Sequence, residues 1–381
     1  MKYGIYIHIP FCLDKCDYCG FYSEVTPRRA DDAAVPRLFI RNLQEEIIER
    51  LRGRGRPEAD TVYIGGGTPS LLEQGQVASL METLRVCFDL AVDAEISMEI
   101  NPRDCTIERL AAYRDAGVNR TVLGVQTLSE RLHHIIGRSC LYAGEAEIAH
   151  FFDLPGIIHC ADLIAGIPSQ EEDELVRDID ALAGFGADHI SLYLLSIEAG
   201  TPLSRRIAMD EALEEAQGRL FMAARARLQS HGYDHYEISN YARGGRVSRH
   251  NLKYWNFEPY FGFGPGAHSF VEGERYTNDV TVSGYCGSGP VAPTRDIRGP
   301  HSPCVEYLMT GLRLLGGLSI GGMERRLGIS VPPAVMARIN EAATMGMIKV
   351  DGRDDGMTVR LSERGIIMSD SVIYSLVQDL L

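Results

Sequence analysis

The first two thirds of the chain alternates short apolar runs with longer segments in which apolar positions recur every three or four residues. GIYIHIP, Gly4 to Pro10, reads as a short strand rich in Ile and Tyr that stops at a proline. An amphipathic stretch from about Asp31 to Arg52 predicts a helix, and TVYIGGGTPS, Thr61 to Ser70, predicts a β-branched strand that breaks at Gly65, Gly66 and Gly67. The same rhythm returns in ISMEINP (Ile96 to Pro102), NRTVLGVQT (Asn119 to Thr127), IIHCADLIAGIP (Ile157 to Pro168) and DHISLYLLSI (Asp188 to Ile197). Parallel strands need long crossovers, so six apolar strands separated by helical patterns predict an α/β chain closed as a partial (β/α)6 TIM-like barrel. Functional groups in such a barrel gather on loops after the C-terminal strand ends. The cysteines after Pro10, the glycine run, Glu99, Gln126 and Asp162 all fall there.

After Tyr236 the texture changes. YEISNYARGGRVSRHNLKYWNFEPYFGFGPGAHSF is dense in aromatics, glycine and histidine, and is expected to extend the sheet and cover the barrel mouth. Thr277 to Pro300, with its Gly, Ser, Pro and Thr, reads as an exposed crossing to a second unit. Beyond it, Val305 to Leu315 and Pro332 to Met345 have helical periodicity, MIKVDGRDDGMTVRL reads as a hairpin, and Ser362 to Leu380 reads as a closing helix. The expected organisation is a barrel over residues 1–240, an extension and linker over 241–300, and a small α+β, winged-helix-like module over 301–381.

Composition narrows the function classes. With 45% hydrophobic and 24% charged residues in 381, the chain is globular rather than disordered. No apolar run approaches the roughly 20 residues that span a bilayer, and no secretory leader pattern opens the sequence. A cytoplasmic location is therefore expected, with peripheral contact with membrane proteins left open. The formal net charge of -14 argues against a nucleic-acid partner, and the C-terminal module has no basic face to change that.

Nine cysteines in a chain of this length do not suggest a secreted disulfide framework. Cys12, Cys16 and Cys19 have the spacing of a metal clamp on one loop, yet they are three where a structural site wants four. One reading is zinc, with His8 or a distant residue as fourth ligand. The other is a four-iron cluster whose fourth iron stays open to a small molecule. Cys87, Cys105, Cys140, Cys160, Cys286 and Cys304 read as small apolar residues.

CLDKCDYC, together with the motifs downstream, resembles the radical S-adenosylmethionine (SAM) superfamily. Over nearly the whole chain the resemblance is to the family of oxygen-independent coproporphyrinogen III oxidase and its heme-chaperone relative. It rests on YIHIPFC, GGGTPSLL, MEINP, NRTVLGVQ, IIGR, DLIAGIP, YEISNYA, HNLKYW and GFGPGAHS, in that order. The resemblance implies a [4Fe-4S] cluster on Cys12, Cys16 and Cys19, with SAM chelating the open iron and cleaved there to a 5′-deoxyadenosyl radical. It places Tyr6 near that SAM, Gly66, Gly67 and Thr68 under its methionyl part, and Glu99 as a hydrogen-bond partner. Gln126, Arg138 and Asp162 match positions that line a second SAM in the oxidase.

Each residue also has a plainer reading. GGGTP alone is a turn, Glu99 a solvated acid at a strand end, and Arg138 a surface charge. Asp162, inside an apolar strand, needs some partner if buried. Two departures from the oxidase pattern point to the chaperone branch: Cys19 and Gly20 are followed by Phe21 rather than cysteine, and only five residues precede Tyr6. His250, Tyr254 and Trp255 lie in a hexapeptide resembling a heme-binding signature, with His250 as expected axial ligand and His268 as a second candidate. The resemblance thus implies a chaperone that delivers heme to an acceptor hemoprotein. The alternatives are the coproporphyrinogen oxidase itself or a related radical SAM enzyme that methylates or opens a tetrapyrrole.

Overall fold

The computed structural model describes all residues except 1, 27–34, 105, 139–142, 291, 298, 300, 353–355 and 381, so Cys105 and Cys140 lie outside the described residues. Strand β1 (Tyr3–Ile9) leads into a short parallel pair, β2 (Phe11–Cys12) and β3 (Glu24–Val25), that frames the cysteine loop. There follow β4 (Glu58–Gly66), β5 (Asp89–Ile100), β6 (Arg120–Gln126), β7 (Ile158–Ala165) and β8 (His189–Leu194). Helices 37–51, 74–87, 107–116 and 172–185 are the main crossovers between them. Each is amphipathic, and residues such as Leu43, Leu80, Leu110 and Ile179 meet the outer face of the sheet in one core.

All neighbouring pairs from β1 through β8 in the order β1-β4-β5-β6-β7-β8 are parallel, as the strand and helix rhythm predicts. The sheet continues past them on both sides. Beyond β8 lie β10 (Asn240–Ala242) and β9 (Asp234–Glu237), both antiparallel. On the other edge β11 (Tyr260–Phe263) pairs in parallel with β1, followed by antiparallel β12 (His268–Val271), β13 (Glu274–Thr277) and β14 (Thr294–Arg295). The result is a single twelve-stranded sheet, and the expected boundary at residue 240 falls inside it.

Thr277 to Pro300 is not simply an exposed crossing. Helix 282–288 buries Val282 and Tyr285, and the Tyr285 hydroxyl donates to Glu46 Oε2 at 2.7 Å. Two apolar side chains three residues apart suffice to dock a single-face helix, and the surrounding Gly and Ser conceal that spacing. The C-terminal unit is an antiparallel sheet, β15 (Leu318–Ser319), β17 (Thr358–Leu361) and β16 (Ile348–Asp351) in that order, with helices 302–311, 320–327, 333–344, 363–367 and 369–377. The expected single closing helix is broken in two at Met368. No helix of the described residues is long and apolar enough to cross a membrane.

Candidate functional site

Along β4, β5, β7 and β8 the inward positions carry polar or thiol side chains at every second residue, with Thr61 and Tyr63, Ser97 and Glu99, Cys160 and Asp162, Ser191 and Tyr193, while β6 brings Arg120, Val122 and Gly124 into line with them. A closed apolar barrel would fill these places with Val, Ile and Leu. Here Tyr193 is 42% exposed, yet desolvation and the charges of Asp162 and Glu237 raise its phenol pKa, as for a side chain in an unfilled barrel interior, here called the chamber. Glu99 and Asp162 share that chamber and are only partly covered. The Tyr63 hydroxyl and the Gly66 amide donate to the two oxygens of Glu99, at 2.9 and 3.1 Å. Burial pushes the Glu99 pKa up to about 7, with the charge of Asp162 adding to it; burial likewise pushes Asp162 up to about 6, against a hydrogen bond from Ser191 and the charge of Arg138. Asp162 Oδ1 has no hydrogen-bond partner among the described residues.

At the C-terminal ends of the strands the chamber opens beside the cysteines. Cys12 and Cys16 are buried, Cys19 is half-buried, and none is in a disulfide. Burial raises the thiol pKa values of Cys12 and Cys19, and each of these thiols is raised further by its cysteine neighbours, so the three lie within electrostatic reach of one another. Thr68 donates to Cys12 Sγ at 3.6 Å, and Arg138 Nη1 to Cys16 Sγ at 3.1 Å while its Nη2 holds the Gly124 carbonyl at 2.9 Å. Gly67 is required here. A Cβ on it would stand 2.7 Å from the Phe11 carbonyl oxygen and 3.0 Å from Cys12 Sγ. Gly66 adopts φ 119°, and a Cβ there would strike the His8 ring at 2.7 Å.

These features fit a cluster bound by three thiolates. Among the described residues no three His, Cys, Asp or Glu are gathered tightly enough around a point to hold a single ion. His8, the nearest candidate for a fourth zinc ligand, has both nitrogens engaged. Its Nε2 donates to the Tyr22 carbonyl at 3.0 Å and its Nδ1 accepts from the Tyr6 hydroxyl at 2.8 Å, so one neutral tautomer satisfies the ring. Charge-assisted donation from Arg138, a glycine wall and an adjacent chamber lined by carboxylates and phenols suit thiolates with an open side facing a polar cationic ligand.

Gln126 stands at the end of β6 with φ 67°, a left-handed conformation that is strained for a residue with a side chain. A register shift between Gly124 and Gln126 turns the chain there. Tyr6, Gly66, Gly67, Thr68, Glu99, Gln126, Arg138 and Asp162 are thus gathered at one end of one chamber. Tyr18, Tyr63, Ser191 and Tyr193 belong to the same walls and were not among the expected residues. Polar residues with period two inside otherwise apolar strands are the signal that identifies the last three.

The second histidine motif goes elsewhere. Helix 249–255 sits against the N-terminal strand ends, forming the chamber floor. Glu95 Oε2 and Oε1 accept from the backbone amides of Arg249 and His250 at 3.1 and 3.0 Å, and Glu95 also faces the buried Arg120 guanidinium at 3.5 Å. His250 is 0% exposed; its Nδ1 meets Thr61 Oγ1 and its Nε2 meets the Tyr254 hydroxyl, both at 2.8 Å. Burial, aided by the Lys253 charge, pushes its pKa down to about 3, so the ring is neutral. Trp255 packs under the Arg313 guanidinium, 4.9 Å from its ring centroid. The expectation of His250 as a heme ligand meets an imidazole with no nitrogen to offer in this arrangement. His268, by contrast, is exposed at the mouth.

Residues 6–182 match the model of the Radical SAM superfamily. The chain is 34% identical to the heme chaperone HemW of Mycobacterium tuberculosis (strain ATCC 25618 / H37Rv) across 98% of its own length and 94% of the relative's. It is 29% identical to heme chaperone HemW of Bacillus subtilis (strain 168), covering 98% and 99% of the two chains. Among solved structures it superposes on coproporphyrinogen III oxidase (HemN) of Escherichia coli with a TM-score of 0.82 at 22% identity, covering 98% of this chain and 90% of that one.

Proposed function

This chain belongs to the HemW family of radical SAM proteins, and from that premise we propose that it binds a [4Fe-4S] cluster, SAM and one heme, and passes the heme to a respiratory hemoprotein. The observation that carries the reading is the set of Cys12, Cys16 and Cys19 walled by Gly67 and Arg138 at the open end of a polar chamber, in a chain related to HemW over its full length. When bound, a cluster on these thiolates leaves one iron to SAM and supplies the electron for reductive cleavage of its sulfonium.

The chain's own residues orient and shelter. Gly66 and Gly67 let the backbone approach the methionyl part of SAM, and Thr68 fixes the Cys12 sulfur. Glu99, aimed by Tyr63 and the Gly66 amide, accepts from the ammonium or ribose hydroxyls, and Tyr6 closes the wall beside it. Gln126, Arg138 and Asp162 form the opposite polar wall, where the unpartnered Asp162 oxygen awaits a donor. Free cysteines throughout the described residues suit a reducing, cytoplasmic compartment.

The test is anaerobic. Cluster-reconstituted protein with SAM is loaded with heme and mixed with an apo-hemoprotein; transfer without conversion of coproporphyrinogen III is the expected result. Formation of protoporphyrinogen IX from coproporphyrinogen III overturns the reading in favour of the oxidase.

A further inference from the structure

The three cysteines of the loop meet different kinds of donor. Cys12 Sγ accepts from the Thr68 hydroxyl at 3.6 Å, and Cys19 takes a backbone hydrogen bond from Phe21. Cys16 Sγ, by contrast, receives a guanidinium, Arg138 Nη1 at 3.1 Å. Arg138 is buried, and its Nη2 donates to the Gly124 carbonyl at 2.9 Å, so the cation is fixed at the sulfur by a second bond. A charged donor in a dry place makes a stronger hydrogen bond than a neutral hydroxyl or amide.

The backbone on both sides holds this contact in place. The Asp17 amide, next to Cys16, donates to the Ile136 carbonyl at 3.1 Å, and the Leu203 amide donates to the Asp17 carbonyl at 2.9 Å. The Asp17 carboxylate pairs with Arg206, whose guanidinium also donates to the Ile135 carbonyl at 3.1 Å. The Arg138 amide closes its own turn on the His133 carbonyl at 2.8 Å. Gly137 lies between these anchors with φ 64°, and a Cβ there would overlap the Asp17 carboxyl, so the close approach of the two segments depends on glycine. The cysteine loop and the turn that carries Arg138 are therefore one unit, and the guanidinium is held at the sulfur rather than left to solvent.

We propose that Arg138 sets the reduction potential of the cluster through Cys16: its N–H bond to this thiolate draws negative charge from the cluster and favours the reduced form. The inference rests on the cluster-binding reading above and gives Arg138 a task that does not require SAM. Hydrogen bonds to ligand sulfurs and nearby charge are among the levers that set such potentials. A reduced cluster carries one more negative charge than an oxidised one, so a cation fixed at a ligand stabilises the reduced state more. Asp162 on β7 faces the same guanidinium and offsets part of its charge. The charge of Lys15 also reaches Cys12 and Cys19, but that side chain is exposed and water screens it. The bond from Arg138 makes reduction easier and cleavage of the sulfonium less strongly driven.

The test is a redox titration of the cluster-reconstituted protein without SAM, followed by the electron paramagnetic resonance signal of the reduced cluster. At a given applied potential Arg138→Gln should show a reduced-to-oxidised ratio about tenfold below that of the unaltered protein, ~59 mV for one electron. Arg138→Lys, which keeps a cation but not the planar fork, should fall between the two. Leaving SAM out is what separates this role from a place in the SAM wall, since a residue that only lines SAM cannot move the SAM-free potential. Iron content and iron-sulfur absorbance report whether each variant holds a full cluster, and where Arg138→Gln does not, the potential of Arg138→Lys decides. A potential equal to that of the unaltered protein overturns the proposal and leaves the cluster reading standing. Loss of the cluster in both variants also overturns it, because Arg138 then holds the cluster rather than tuning it. If the unaltered protein takes up no iron-sulfur cluster, the cluster reading itself falls and this role with it.

Discussion

The two ends of the barrel use similar residues to opposite ends. At the floor, Glu95 accepts from two backbone amides and faces Arg120, while His250 is clamped between Thr61 and Tyr254. At the mouth, an oxygen of Asp162 lacks a partner, Arg138 points at a cysteine sulfur, Gln126 is strained and His268 is uncovered. Buried polar groups with all valences met hold a structure in one state, whereas incompletely met ones wait for a ligand. Residue type does not separate the two ends. The carboxylates do: both oxygens of Glu95 accept hydrogen bonds, whereas Asp162 keeps one oxygen without a partner.

Substitutions can break that contrast. The largest effect is expected at the mouth: replacing Cys12, Cys16 or Cys19 with Ala abolishes iron-sulfur absorbance after reconstitution, and Gly67→Ala, whose Cβ would meet both Phe11 O and Cys12 Sγ, does nearly the same. The urea midpoint of the cluster-free protein should shift far less in the Cys19 variant. At the floor the order inverts. Glu95→Ala leaves Arg120 buried without its counter-charge and should cost about 3–5 kcal/mol in urea unfolding. A cost below about 1 kcal/mol would show that the floor is not what holds the barrel together.

Glu99 gives a smaller, pH-dependent effect. Its folded pKa is raised to about 7, so the folded state binds this proton more tightly than the unfolded chain. The associated stability is fully present below the ordinary carboxylate pKa and is lost as pH rises through about 7. Glu99→Gln should flatten that decline by about 1–3 kcal/mol in denaturation curves taken across the window. An unchanged slope would mean that the chamber does not hold this carboxyl protonated. The smallest effect belongs to Phe21→Ser, which should leave stability within about 0.5 kcal/mol because the ring is mostly in water. A larger loss would mean that Phe21 is part of the core rather than of the exposed surface.

The six parallel strands and the cysteine loop were readable because apolar runs, glycine breaks and cysteine spacing are local signals. β11 was not. Nothing near Tyr260 to Phe263 announces that its partner is β1, since that pairing joins residues from opposite parts of the chain. The surroundings of HNLKYW were hidden for a related reason: His250 is recognisable as a possible ligand, but its engagement by Thr61 and Tyr254 depends on which end of the barrel the helix closes. Helix 282–288 escaped notice because its contacts, Tyr285 with Glu46 and Asn42, are also distant in sequence. Gln126 was identified as a site residue from motif alone, and its positive φ is visible only in three dimensions.

The place of β1 between β4 and β11 also has a meaning for biosynthesis. The cysteines leave the ribosome before Gly67, Arg138 and the Gly264 turn that enclose their loop, the last of which is made after most of the barrel. Pairings between distant segments form slowly. The nascent thiols therefore emerge unsheltered by these residues, and iron delivery that awaits the finished chain finds a ready-made cradle, whereas earlier delivery meets a loop without its walls.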